Sequence, residues 1–178
     1  MVFLFEIMKG SMCQLTIRHT AQADVDRVME ILDIARRFMW SVGNTSQWPE
    51  GYPSRETIER DVEQGHSYVC CNGEGMPVAT FCFAPGPDET YAKIEDGKWL
   101  NDKPYHVIHR IASDGSAHGV AGQIISWCRQ RKENLRIDTH SDNKVMQSLL
   151  ESNGFVRCGI IHVDDGTPRI AYQSAGKM

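Results

Sequence analysis

The sequence has no long apolar run, no spaced cysteine pairs and no surplus of positive charge, and each absence removes a class of protein. No stretch reaches the roughly 18 uninterrupted apolar residues of a bilayer-crossing helix. The apolar opening, Met1-Val-Phe-Leu-Phe-Glu-Ile-Met8, is interrupted by Glu6 and has no small-residue cleavage site behind it. Neither a membrane partner nor a signal peptide is expected. The six cysteines, Cys13, Cys70, Cys71, Cys82, Cys128 and Cys158, form no C-x-x-C pair. Zinc or any other metal is therefore not expected, and reduced thiols in a cytoplasm are. Lys+Arg number 19 against 23 Asp+Glu, a net charge of −4, which provides no basic face for nucleic acid. There is no Gly-Lys-Ser/Thr and no Gly-x-Gly-x-x-Gly, so neither a Walker loop nor a dinucleotide fingerprint is present. Internal repeats and low-complexity segments are also missing.

What is present suits one domain, given 178 residues. A tail is expected over 1–13, a single domain over 14–173 and a short tail over 174–178, with Met8 and Met12 as alternative starts. The domain is organised around Tyr105 to Arg131. Tyr105 to Ala112 is apolar, β-branched and without helical spacing, which predicts a buried strand. Val120, Ile124, Trp127 and Cys128 recur at helical spacing, with Arg129, Arg131 and Lys132 gathered at the end; that pattern predicts an amphipathic helix with cations at its negative pole. Between them, Ser113 to Gly122 is a turn of small residues with three glycines. Unpaired N–H groups at the start of a helix, with glycines beside them, make a backbone site for an anion such as a phosphate. An ordinary strand-to-helix connection is the competing reading.

Taken in order, Gln14 to Arg18 reads as a first strand, and Thr20 or Asp24 caps a helix through about Phe38. Met39 to Pro53 is irregular and aromatic, either a loop over the core or a wall of a substrate pocket. Ser54 caps a short helix ended by Gly65. His66 to Cys71 and Met76 to Ala84 form a hairpin. The connection from Pro85 to Lys103, carrying Asp88, Glu89, Tyr91 and Trp99, is long enough to be functional or to hide structure. Leu135 to His140 is a strand. Ser141 or Asp142 caps a helix striped by Val145, Met146, Leu149 and Leu150 and stopped by Gly154. Phe155 to Val163 and Pro168 to Gln173 close the chain as a hairpin. Along the strand before the glycine turn, alternation puts Tyr105, Val107, His109 and Ile111 on one face.

The strand–turn–helix segment resembles motif A of the GNAT acyltransferase superfamily, whose loop reads Gln/Arg-x-x-Gly-x-Gly/Ala and grips the pyrophosphate of acetyl-CoA. Ser116-Ala117-His118-Gly119-Val120-Ala121 match it, with Ser116 in place of the cationic or amide side chain. The second block resembles motif B through Asn143, Gly154 and Phe155, with Leu150 where the family often has tyrosine. The resemblance implies an α/β fold, a GNAT-type mixed sheet splayed between its fourth and fifth strands and flanked by helices. It implies acetyl-CoA as co-substrate in that splay. The phosphates would rest on Ser116, Ala117, His118, Gly119, Val120, Ala121 and Gly122. The pantetheine would pair with the main chain of Ile111, Ala112 and Ser113, and the Ile111 N–H would serve the oxyanion. Asn143 would either cap its helix or hydrogen-bond the pantetheine.

Direct acyl transfer to an amine needs a base, an oxyanion donor and a departing thiolate. Family acid/base groups project from this strand, which marks His109 as the base; imidazole titrates near neutrality. A structural histidine is the alternative. With leucine at position 150, either the thiol, with a pKa of roughly 8.5, leaves without a full proton donor, or an acid from elsewhere, such as Tyr105 or Tyr172, serves it. The expected function is acetyl transfer from acetyl-CoA to a primary amine of a small-molecule or amino-acid-like acceptor. A non-catalytic CoA-binding sensor or interaction module is the rival. The family resemblance, with apolar Phe3 and Phe5 and the terminal hairpin, also suggests a homodimer.

Overall fold

The computed structural model describes residues 14–176; the expectations for the N-terminal tail, Cys13, Phe3 and Phe5 lie outside them. The chain alternates strands β1 (Thr16–His19), β2 (Ser67–Cys71), β3 (Pro77–Pro85), β4 (His106–Ser113), β5 (Leu135–Thr139), β6 (Val156–His162) and β7 (Pro168–Ser174) with helices α1 (Val25–Ser41), α2 (Arg55–Glu63), α3 (Val120–Arg129) and α4 (Lys144–Ser152). The strands form one sheet in the order β1-β2-β3-β4-β5-β7-β6. Among the described residues only the β4–β5 pairing is parallel. The last strand runs one residue past the expected boundary, to Ser174.

Residue alternation on the strands sorts the core onto two faces. Cys70, Phe81, Ile108, Leu135 and Ile137 pack with Ile124, Ile125 and Cys128 of α3 and Leu150 of α4. On the opposite face, Val69, Cys71 and Ala112 pack with Val28, Ile31 and Leu32 of α1, Ile58 of α2 and Trp48. Farther along that face, Val107, Ile161 and Ala171 pack with Tyr91 from the β3–β4 connection.

The helix ends follow the sequence in part. Ser54 accepts from the Thr57 N–H at 3.3 Å, as its position predicts. At the entry to α1, Asp24 accepts from the Ala21 N–H at 2.8 Å and pairs with Arg18 at 2.6 Å. Thr20 turns instead to the Ser67 hydroxyl, 2.7 Å away. Neither Ser141 nor Asp142 caps α4. Asn143 does, its Oδ1 accepting from the Met146 N–H at 3.1 Å while its Nδ2 donates to Gln47 at 3.0 Å. That double hold selects Asn143 from three adjacent polar candidates.

Two irregularities in β4 shape the centre of the sheet. First, β4 and β5 are paired only at His106–Leu135 and Val107–Arg136, after which they diverge. Second, Thr80 faces Ala112 and Cys82 faces His109, so Arg110 and Ile111 together oppose Phe81. This is a β-bulge, and Arg110 carries its strain at φ 53°. The extra residue reverses the alternation. Ile111 therefore packs toward the α3 face with Ile108, not on the face of His109 as strict alternation predicts.

The connection from β3 to β4 is a strap across the sheet rather than a free loop. Its 3-10 turn, Glu89–Tyr91, buries Tyr91. Trp99 and Tyr105 both stack on the Arg136 guanidinium, at 4.0 and 3.9 Å. Glu95 bridges to Ile160 of β6. At Gly97 the approach is so close that a Cβ would lie 1.9 Å from the Cys158 carbonyl oxygen, so only glycine fits there.

Candidate active site

The turn after β4 has the form of an anion cradle. Gly119 precedes α3 in the left-handed conformation at φ 67°, and no side chain caps the helix. The first main-chain bond there is Gln123 N–H to Gly119 O, 3.1 Å, so the first-turn N–H groups of Val120, Ala121 and Gly122 have no intrahelical acceptor. The turn is braced from behind. Asp114 accepts from the Ser116 N–H at 2.9 Å and its hydroxyl at 2.6 Å, and Arg27 of α1 holds its other oxygen at 2.5 Å. The Ser116 side chain thus points back into the loop, and the main chain is what remains for a phosphate.

A cleft of about 900 Å³ passes through the opening between β4 and β5, lined by β4 as far as Ile111 and by none of the 112–122 residues. Trp48, Tyr52 and His109 line it on one face of the sheet, and Ile137, Asn143 and Met146 on the other. The bulge puts Ile111 at its wall, and beyond Val107 β4 has no ladder partner on its β5 side, so that edge of the main chain is open to a ligand. The aromatic loop after α1 forms part of the wall. It is tied down by Gln47, whose Oε1 accepts from Asn44 and Asn143, both at 3.0 Å, and whose carbonyl accepts from Arg169 at 2.9 Å. Six carboxylates line the cleft, Asp61, Asp88, Glu89, Asp138, Asp164 and Asp165, against three arginines. Its field therefore favours a cation.

His109 lies between two of those carboxylates. Its Nε2 is 2.8 Å from Asp88 Oδ2 and its Nδ1 is 3.7 Å from Asp138 Oδ1. Asp88 is fixed by the Thr90 N–H at 2.9 Å and the Thr90 hydroxyl at 2.6 Å. Burial pulls the Asp88 carboxyl upward, but the hydrogen bonds from His109 and Thr90 outweigh it and hold it at about 2. Asp138 Oδ1 accepts from the Tyr91 hydroxyl at 2.7 Å. Arg169 Nε stands 3.9 Å from its other oxygen.

The remaining sequence candidates separate cleanly. Tyr105 is not among the cleft residues; its hydroxyl accepts from the Asp88 N–H at 3.0 Å and so supports the strap. Tyr172 is buried toward α4, its hydroxyl 3.2 Å from Glu151. Leu150 is fully buried in the core, and no acid can act from there. Asn143, at the cleft wall, spends both ends of its amide within the protein, in the helix cap and on Gln47. Burial pushes the thiols of Cys70, Cys82 and Cys128 up to about 12, far from a nucleophile's range. Asp138 and Arg169 were not identifiable from sequence. Asp88 was marked only by lying in a long connection. Among the described residues no group of side chains forms a metal site, and no helix is long and apolar enough to cross a membrane.

A sheet splayed at one parallel pair, with a glycine-gated helix start beside the splay, defines a class, and comparison with solved structures gives it a family. An acetyltransferase of the GNAT family from Streptococcus agalactiae is 31% identical, with a TM-score of 0.84 over 92% of this chain and 96% of that one. A GNAT-family acetyltransferase from Listeria monocytogenes is 19% identical, with a TM-score of 0.69 over 90% of this chain and 94% of that one. A chain of the NatC complex, solved with Gag peptide and CoA, is 12% identical, with a TM-score of 0.57 over 92% and 99%. No family model matches the chain, and no curated protein matches it. The chain belongs to the GNAT family of acetyltransferases.

Proposed function

We propose that the chain transfers an acetyl group from acetyl-CoA directly to the primary amine of a small-molecule or amino-acid-like acceptor, with His109 as the base. One observation carries the reading: His109 stands at the wall of an acid-lined cleft that runs through the β4–β5 splay. Acetyl-CoA supplies an activated thioester, and the likeness to a chain solved with CoA supports its use. The residues here suit it. The open N–H groups of Val120 to Gly122 would hold the phosphates, and the main chain of Ile111 to Ser113, which has no β5 partner, would pair with the pantetheine. The Ile111 N–H would meet the developing oxyanion. A surplus of carboxylates draws an ammonium into the cleft, and held beside the thioester, the amine needs only to lose a proton to react. Transfer is direct, since burial pushes the thiols of Cys70, Cys82 and Cys128 up to about 12 and leaves them no thiolate for an acyl-cysteine. Buried free cysteines also suit a reducing compartment.

The test is thiol release from acetyl-CoA across a panel of amines, with wild type and His109→Gln. Wild type should release thiol with at least one primary amine, and the variant should turn over on the order of 10²-fold more slowly with acetyl-CoA affinity unchanged. Tight CoA binding with no release for any amine would favour the non-catalytic module, for which the inward-turned Ser116 and the buried Leu150 are the relevant features.

A further inference from the structure

We infer that Asp88 holds the proton of His109 on Nε2, leaving Nδ1 as the basic atom, and that Asp138 is the carboxylate that seats the acceptor's ammonium beside it. This rests on His109 being the base, and it assigns two further residues to that chemistry.

The polarity follows from the contacts. Asp88 meets only donors: the Thr90 N–H and hydroxyl on one oxygen, the His109 ring on the other. An ionised carboxylate can only accept, and those hydrogen bonds hold this one down at about 2. The ring nitrogen 2.8 Å from it is therefore the N–H. A neutral imidazole has one such nitrogen, so Nδ1 carries the lone pair. The strap fixes the arrangement, because the Asp88 N–H is itself tied to Tyr105 and the buried Tyr91 ring lies 5.8 Å from that of His109.

On the Nδ1 side, the ring is approached by Asp138 from β5, by Tyr91 from the strap and, beyond Asp138, by Arg169 from β7. Tyr91 gives its proton to Asp138, and Arg169 lies nearest the other oxygen. Nδ1 and Asp138 Oδ1 are then two acceptors 3.7 Å apart with no hydrogen between them. That spacing is too long for a bond of their own, and it is within reach of two N–H groups of one nitrogen. A primary ammonium fits there, donating to both. In the reaction one N–H bond of the ammonium breaks and an Nδ1–H bond forms. The freed lone pair attacks the thioester carbon; as the C–N bond forms the C–S bond breaks, the departing CoA thiolate takes the second proton of that nitrogen to leave as the thiol, and the imidazolium, which faces the Asp88 charge at Nε2, returns its proton to solvent. Asp88 is thus a positioning residue, while Asp138 would touch the acceptor.

The tautomer can be read without any ligand. Nitrogen-15 histidine-labelled protein, observed by long-range proton–nitrogen correlation at a pH where the His109 ring is neutral by its own shifts, should show the proton on Nε2. Asp88→Ala should move population to the Nδ1–H form, which can donate to Asp138. In turnover, Asp88→Ala should lower kcat at least tenfold with the acceptor KM within about threefold, and Asp88→Glu should recover part of the loss. Asp138→Asn should instead raise the acceptor KM at least tenfold. A wild-type ring protonated on Nδ1, or a tautomer unmoved in Asp88→Ala, overturns the assignment of Asp88. An unchanged acceptor KM in Asp138→Asn overturns that of Asp138. If His109→Gln keeps full turnover, the base reading falls, and the tautomer still decides separately whether Asp88 sets the ring.

Discussion

The ion pair between Asp61 of α2 and Arg110 of β4 should be worth far more broken than absent. Their side chains are only 12% and 14% exposed, and Arg110 Nη2 bonds Asp61 Oδ2 directly. Arg110 also occupies the bulge at φ 53°, a conformation that costs a non-glycine residue about 1–2 kcal/mol. Replacing Asp61 with leucine strands a buried guanidinium, and breaking a buried pair from one side costs about 3–5 kcal/mol. Replacing both members with apolar residues, Asp61→Leu with Arg110→Met, removes the stranded charge and should return most of that loss. The bulge strain persists in both cases, so it cancels from the comparison. With a urea dependence of about 2 kcal/mol per molar for a chain of this class, the single variant's midpoint should fall by about 1.5 M or more. The double variant should come back to within about 0.5–1 M of wild type. Equilibrium urea unfolding followed by tryptophan fluorescence reads both. The reasoning is refuted if Asp61→Leu costs less than about 1 kcal/mol, or if the double variant is the less stable of the two. The same bulge leaves Ile111 without a ladder partner, so Asp61→Leu should also slow turnover at saturating acetyl-CoA, because the proposed oxyanion donor loses its fixed position.

Two further outcomes are expected. Gly119→Glu should abolish CoA binding measured by calorimetry, since the left-handed φ of 67° strains any side chain and the added carboxylate would oppose the phosphates at an open helix start; binding within twofold of wild type would remove the turn from the site. With their thiols held up to about 12 by burial, Cys70, Cys82 and Cys128 should resist iodoacetamide in the native protein at pH 8 and react fully in denaturant, as peptide mass mapping would show; rapid native alkylation at any of the three would contradict their burial.

Much of the architecture was legible because it is written in local patterns. The glycine turn after an apolar strand, the stripe at Val120, Ile124 and Cys128, and the Asn143 to Phe155 block each carry their own period or stop signal, and the element order follows from them. What escaped is what depends on distant partners. Asn143 was one of the expected caps of α4, but its choice over Ser141 and Asp142 was not legible, because it rests on Gln47, nearly a hundred positions away in sequence, holding the other end of its amide. All three are good caps by themselves.

The bulge and the strap share that origin, and together they decide the chemistry of the cleft. Nothing in Arg110 announces a positive φ, which asparagine or glycine would; its side chain there is paired with Asp61 of α2. Strict alternation therefore works for Tyr105, Val107 and His109, which precede the bulge, and fails at Ile111, which follows it. His109 could be singled out from its strand together with the family resemblance. Its partners could not, because Asp88 comes from a connection with no periodicity and reaches the ring only after Tyr91, Trp99 and Gly97 have pinned that connection to the sheet. The proposed base can thus be marked on its strand, while the partners that would set its tautomer are a property of the folded chain.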